Sequence, residues 1–303
     1  MKRMRLGTRG SPLARAQSAQ IARRIEEANP GLETEFVFIK TSGDAFSLAR
    51  PDAPVKPSSP NVKAMFVKEI EEALLRGEID YAVHSSKDLP GELPKGLVLA
   101  AFPEREDPRD AFIPGTSPSW AQVPEGGVIA TASLRRQVQL RRARAGLAFT
   151  AVRGNVDTRL RKLKEHGWAG LVLAAAGLRR LGLDEVPREP LPPELVLPAP
   201  GQGALALEAR ADRSEVLAAL SRVAHERTRL EVELERAFLS AVGGGCSTPL
   251  GALASVGAGG ERRLRVFWSR DDGADAVRLE GTCGPSTEDA FALARSLRDR
   301  LPA

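Results

Sequence analysis

Lys87 and Asp88 stand side by side where a short apolar run, Tyr81 to Val83, breaks into His84-Ser85-Ser86 and stops at Pro90. The run reads as a buried strand, and Pro90 cannot continue a central ladder. A strand ending this way delivers one ammonium and one carboxylate to the edge of a sheet. In open α/β folds the carboxyl ends of the strands are where ligands bind. A carboxylate held there can stabilise a developing cation or accept a proton. The plainer alternative is a solvated turn, since exposed charge pairs are common and weak.

Cationic groups gather elsewhere in the chain. Between Ser133 and Lys164 there are ten arginines and lysines against a single acid, Asp157. Ser133, Arg135 and Arg136 fall at one expected strand-to-helix turn, and Arg153 and Arg159 flank another, Arg153-Gly154-Asn155-Val156-Asp157-Thr158-Arg159. Arg9-Gly10-Ser11 has the same form. Such turns aim backbone N–H groups and a helix N-terminus at an anion, and arginine adds a bidentate fork. Three of them imply a ligand with several carboxylates or phosphates. Arg141, Arg142 and Arg144, in mid-helix, read instead as a solvated basic face.

Cys246 follows three glycines and precedes Ser247-Thr248-Pro249, which makes a tight, accessible loop. A thiol there, near cationic groups, ionises easily and can act as a nucleophile or attachment point. Cys283 has no such company and reads as structural. The histidines, 84, 166 and 225, lie far apart and show no metal-ligand spacing, so no metal site is expected. His84 is expected to make hydrogen bonds at the strand end.

The elements that carry these residues can be read from pattern. Ser11 before Pro12 starts a helix, an N-cap hydroxyl with proline at N1, which runs to about Ala28 and ends at Asn29-Pro30-Gly31. Glu35 to Lys40 is a strand, Thr41 to about Lys63 a long Pro/Ser-rich loop, and Ala64–Arg76 a helix leading to the Ile79–Asp88 stretch. Further strands are expected at 97–102, 128–131, 147–152, 170–174 and 204–209, with helices at 133–145, 155–166 and 175–181. Repeated β-α-β units predict parallel sheets. One or two helices across 213–242 come next. Alternation at 250–257, 263–269 and 276–282 predicts an antiparallel sheet, and a last amphipathic helix covers about 285–300.

Composition narrows the function classes. With 303 residues the chain can hold two or three cores. No apolar run approaches the roughly 20 residues that span a bilayer, and the N-terminus lacks the apolar segment of a secretory signal. Two cysteines in unlike contexts form no disulfide framework, so a cytoplasmic protein is expected. The net charge of +5 calls for an anionic partner. Aromatic residues are only 5% of the chain, too few to offer stacking platforms for single-stranded nucleic acid.

Together the motifs resemble a family. Arg9-Gly-Ser-Pro-Leu-Ala, His84-Ser-Ser-Lys-Asp-Leu-Pro, Ser133-Leu-Arg-Arg-Gln, Arg153-Gly-Asn-Val-Asp-Thr-Arg, Ala176-Gly-Leu-Arg-Arg-Leu, Gly201-Gln-Gly-Ala and Gly245-Cys-Ser-Thr-Pro-Leu-Gly occur in the order found in the porphobilinogen deaminases. The resemblance implies an α/β protein of three domains. Two are halves like those of a type II periplasmic binding protein with a cleft between them, residues 1–100 with about 200–218, and residues 101–199. The third, residues 219–303, is a small α+β domain with an antiparallel sheet that carries the cofactor cysteine. A dipyrromethane cofactor is implied on Cys246 through a thioether, made by the enzyme from its own substrate and used as a primer. Asp88 matches the family's catalytic carboxylate and Lys87 its neighbour. Arg9, Ser11, Lys63, Lys87, Ser133, Arg135, Arg136, Arg153 and Arg159 match residues holding the cofactor, and Arg9, Ser11, Arg153, Arg159, Arg180 and Gln202 those holding substrate. The implied substrate is porphobilinogen and the implied state a monomer, with no nucleic acid, membrane or metal involved. One departure is the absence of the family's glycines around Lys63, in Ser58-Ser-Pro-Asn-Val-Lys-Ala-Met-Phe.

Two other readings fit parts of the pattern. A non-catalytic two-lobed sensor of small anions would need neither Cys246 nor Asp88. A nucleic-acid-binding protein is suggested by charge alone, and would bind with steep salt dependence.

Overall fold

Ser11 and Pro12 open the first helix as their types require: Ser11 is its N-cap, accepting from the Ala14 amide, and Pro12 is the first helical residue. In the computed structural model, which describes residues 2–43, 64–243 and 248–302, that helix is α1, Pro12–Ala28, and it follows strand β1, Arg3–Thr8. Its buried residues, Gln17, Ser18, Ile21, Ala22 and Ile25, recur at helical spacing and face the sheet. The chain continues through β2, Glu33–Phe38, α2, Ala64–Leu75, β3, Tyr81–Ser85, and β4, Leu97–Ala101.

It then crosses to a second sheet. This holds β5, Asp110–Pro114, β6, Val128–Ala130, α3, Leu134–Ala143, β7, Ala148–Thr150, α4, Val156–His166, β8, Gly170–Ala174, α5, Ala175–Arg180, and β9, Glu189–Pro190. A second crossing returns the chain to the first sheet as β10, Leu205–Arg210. The strand orders are β2-β1-β3-β10-β4 and β7-β6-β8-β5-β9. Each sheet thus has parallel strands on one side and, in fourth place, one strand running against its neighbours. The expectation of purely parallel sheets is corrected by those two strands. Both belong to the crossings, so each enters its sheet from the direction opposite to a β-α-β strand. β5 itself was not among the expected strands, because Ala111-Phe112-Ile113 is a short run tucked behind a stretch of charges.

Burial explains why the strand ends are fixed. Met4, Leu6, Tyr81, Val83, Leu205 and Leu207 meet Ile21 and Ile25 of α1 on one face of the first sheet, and Ile70 and Leu74 of α2 pack with Ile79 and Ala82 on the other. Each leucine, isoleucine, valine or methionine among them contributes about 1.5–3 kcal/mol when fully buried. A one-residue slip in β3 would turn its core residues to the wrong face, so register is strongly held.

Two helices, α6, Ser214–Ser221, and α7, Glu226–Val242, lead to a third, antiparallel sheet of β11, Leu250–Val256, β12, Arg262–Trp268, and β13, Val277–Cys283. It is closed by α8, Thr287–Asp299, whose capping box joins Ser286 and Asp289. α7 packs two ways. Leu234 and Phe238 belong to the core of the third sheet, while Val232 packs with Val67, Leu89, Ala204 and Ala206 of the first.

One carboxylate ties these parts together. Glu235 of α7 is fully buried and accepts from Arg105 Nη1 and Nη2 at 2.8 and 3.0 Å, from the Gly201 amide at 2.6 Å and from the Ala254 amide at 2.9 Å. Arg105 lies in the first crossing, Gly201 in the second and Ala254 in β11. Both passages between the lobes are therefore pinned to the third sheet through one side chain.

Candidate active site

The site begins where β3 ends. Residues Ser86–Asp88 form a single 3-10 turn, closed by the Leu89 amide donating to Ser86 O. The second crossing lies directly against this turn, with the Ser86 amide donating to Ala204 O at 3.0 Å. Gly201 and Gly203 have φ of +70° and +87°, and a β-carbon on Gly201 would stand 2.4 Å from Ser86 Oγ. Glycine is required at both by backbone conformation and by close approach.

That contact places Gln202 between the two lobes. Its Nε2 donates to Asp110 Oδ1 at 2.9 Å and Pro108 O at 2.8 Å, and its Oε1 accepts from Lys87 Nζ at 3.5 Å. Lys87 is half-buried at this turn. Burial pushes its ammonium down to about 8, with Asp88 opposing the shift and Arg136 adding to it.

Arg135 and Arg136, at the start of α3, are both buried and both hold Asp110. Arg135 Nη1 donates to Oδ2 at 2.7 Å and to Leu197 O. Arg136 donates to Oδ1 from Nε and Nη2 and to Val172 O from Nη1. Burial alone would raise the Asp110 carboxyl, but the two guanidinium groups hold it well below the usual range. The carboxylate these arginines grip here is thus the chain's own. Asp110 and Glu235 were not found by sequence reasoning. Asp110 closes the run Glu104-Arg-Glu-Asp-Pro-Arg-Asp, which has the look of a solvated loop.

The other arginines approach from several sides. Arg159 donates from Nε to Gly154 O at 2.8 Å, and its guanidinium is pushed down to about 10 by burial and by Arg136 and Arg153, with Asp88 opposing. Asp88 at the tip of the first lobe and Arg153, Arg136 and Arg159 in the second therefore share one electrostatic neighbourhood. Arg180 donates from Nη2 to Gly203 O at 2.6 Å and is likewise pushed down to about 10 by burial, while its buried Nε has no partner among the described residues. Arg9 lies over the Phe66 ring, 4.1 Å from the centroid. Ser133 is the N-cap residue of α3, yet its hydroxyl makes no cap bond. His84 sits below the turn, with Nε2 3.0 Å from Glu208 Oε2 in β10. Cys246 and Lys63 lie outside the described residues.

Residues 4–245 match the family described as porphobilinogen deaminase, dipyromethane cofactor binding domain, and residues 229–303 match porphobilinogen deaminase, C-terminal domain. The chain belongs to the porphobilinogen deaminase family. Porphobilinogen deaminase of Syntrophomonas wolfei is 46% identical over 299 residues, covering 98% of this chain and 95% of its own. That of Lachnospira eligens is 45% identical over 295 residues, covering 97% and 98%. Among solved structures, the methionine-binding protein MetQ aligns with 73% of this chain and 89% of its own at 14% identity and a TM-score of 0.44. Membership makes this chain a transferase of tetrapyrrole synthesis with a dipyrromethane cofactor domain. Its α/β lobes and small antiparallel third sheet agree with the porphobilinogen deaminase fold expected from the motifs. No helix among the described residues is long and apolar enough to cross a membrane.

Proposed function

We propose that this chain condenses four molecules of porphobilinogen head to tail, with loss of ammonia at each, on a dipyrromethane held at Cys246 by a thioether. Hydrolysis then releases hydroxymethylbilane. The observation that carries this reading is the set of enclosed cations around Asp88. Lys87 and Arg159 are each kept where burial pushes the charged form toward neutrality and the Asp88 carboxylate opposes that push, and Arg180 is held in the same way beside Gly203 and Glu106. A protein tolerates that cost where anionic ligands are to be bound. Porphobilinogen carries two carboxylates, and each addition brings two more.

The donor set fits the cofactor. Arg180 Nε is buried without a partner among the described residues, and so is Ser86 Oγ, which lies against Gly201 of the second crossing. When bound, dipyrromethane supplies the free pyrrole carbon that is extended. Loss of ammonia from substrate leaves a cationic azafulvene, which the Asp88 carboxylate stabilises electrostatically. The same carboxylate accepts the pyrrole proton released after carbon–carbon bond formation. Arg9, Ser11, Ser133, Arg153 and Arg159 hold acetate and propionate groups. Arg135 and Arg136 act from a fixed base on Asp110, and Gln202 orients Lys87 at the junction of the crossings. The lobes divide as residues 1–100 with about 200–218, and 101–199, with 219–303 presenting the cofactor.

Incubation with porphobilinogen should consume it and release hydroxymethylbilane and ammonia. Peptide mass spectrometry should show a reductant-resistant dipyrromethane mass on the Cys246 peptide. Fully active protein with an unmodified Cys246 would contradict this assignment.

A further inference from the structure

Helix α7 does more than cover the third sheet. Its Arg236 is only 9% exposed, and Nη2 donates to Pro90 O at 2.8 Å and Gly91 O at 3.2 Å. These carbonyls belong to the segment that leaves Asp88. Burial lowers the affinity of the Arg236 guanidinium for its proton, and the charge of Glu208 in β10 opposes that shift. Glu208 is itself enclosed beside His84 of β3, with Glu71 of α2 near enough to feel both. The buried cation is therefore balanced from beneath the strand that leads to Asp88, while its Nη2 donates to the loop above.

Gly91 completes the contact. A β-carbon there would stand 3.1 Å from Ser240 Cα and 3.3 Å from Ser240 N, so the α7 backbone rests on the post-Asp88 segment with no side chain between them. In sequence, Cys246 follows shortly after α7 ends at Val242.

We propose that Arg236 is a positioning residue for chain elongation. With Gly91 it fixes the helix that leads to Cys246 against the loop that leads away from Asp88, and so keeps the growing pyrrole chain in register with that carboxylate. The inference rests on the roles given to Cys246 and Asp88 above. A hydrogen-bonded helix is stiff, so a change at Arg236 is carried to its C-terminal end. Bond formation between two bound pieces depends steeply on placement, and an error of about 1 Å can cost roughly 10²-fold in rate.

The test compares full-length holoenzyme with Arg236→Gln, Arg236→Lys and Gly91→Ala, the last of which alters no charge. Intact mass reports cofactor loading, and rapid mixing with porphobilinogen followed by mass analysis reports each elongation step. The expected result is a fold kept by circular dichroism and kcat lowered about tenfold or more with KM little changed, partial recovery in Arg236→Lys, and the same direction of change in Gly91→Ala. Loading uses the same thiol and substrate, so a folded variant that fails to load supports the proposal as a slowed one does. If Arg236→Gln does not fold, Gly91→Ala decides by the same criteria. Parental elongation rates in folded variants, even with a lower melting temperature, would overturn it and leave only a structural tie. Parent enzyme lacking any pyrrole mass on Cys246 would instead strike the proposed function.

Discussion

Asp110 and Arg136 meet at 2.7 Å inside the second lobe, and Arg135 holds the other carboxylate oxygen at the same distance. All three are buried, so the chain's own acid is gripped where the motif suggests an anion site. Arg135→Leu should leave a buried carboxylate short of its partner. Breaking such a pair typically costs about 3–5 kcal/mol. Thermal or urea unfolding should show a loss of that order, whereas an unfolding curve like the parent's would mean that Asp110 is held well enough without Arg135.

Arg153 should behave differently. It is half-buried at the turn before α4 and belongs to the electrostatic neighbourhood of Arg159. Arg153→Leu should keep the fold and lose about 1.5–3 kcal/mol of carboxylate binding. Steady-state kinetics should then show a tenfold or larger fall in kcat/KM with normal circular dichroism. Unchanged kinetics would return Arg153 to the class of surface charges.

Lys87 sets a pH dependence. Burial brings its ammonium down to about 8, so the positive charge is lost as pH rises through that value. Binding of a polycarboxylate should weaken above about pH 8, seen as a rise in KM. In Lys87→Gln that step should vanish from the profile, although binding is weaker throughout. A step of the same size in both proteins would assign the titration to another group.

Glu71 gives a stability signature. Burial, with Glu208 adding and His84 opposing, raises its carboxyl from 4.5 to about 7. The folded chain therefore binds the proton more tightly than the unfolded one, and stability falls as pH rises from about 4.5 through about 7. The full effect is up to about 3 kcal/mol. Glu71→Gln should flatten this part of the curve in denaturant titrations run at several pH values. An unaltered slope would show that Glu71 is not the group responsible.

What the sequence reveals here follows from where each signal lives. Ser11-Pro12, the caps and the β3 run are local patterns, and each produces its element almost to the residue. The arginine turns are local too, and Arg153 and Arg159 do come into the neighbourhood of Asp88. Strand direction is different: β10 takes its place between β3 and β4 only because the chain has passed through a whole second lobe. Partners are equally non-local. Asp110 meets Arg135 and Arg136 across 25 and 26 residues, and Glu235 meets Arg105 across 130. Nothing within either segment records the other, so these buried pairs emerge only from the fold.

In the proposed reaction Asp88 acts chemically at every addition. It lies in the turn that closes β3, beside Lys87 and within the field of Arg159. Asp88→Asn keeps size and much of the hydrogen bonding but removes the charge and the basic site. Asp88→Glu keeps the charge and moves it by a methylene. The decisive measurement is single-turnover formation of the first enzyme–substrate adduct, followed by intact mass, with enzyme already carrying its cofactor. Loss of a proton-transfer group commonly costs about 10²–10⁴ in rate. This role for Asp88 predicts a loss of that order in Asp88→Asn, a much smaller one in Asp88→Glu, and retained substrate binding in both. An Asp88→Asn enzyme that forms and extends the adduct at close to the parental rate would contradict it.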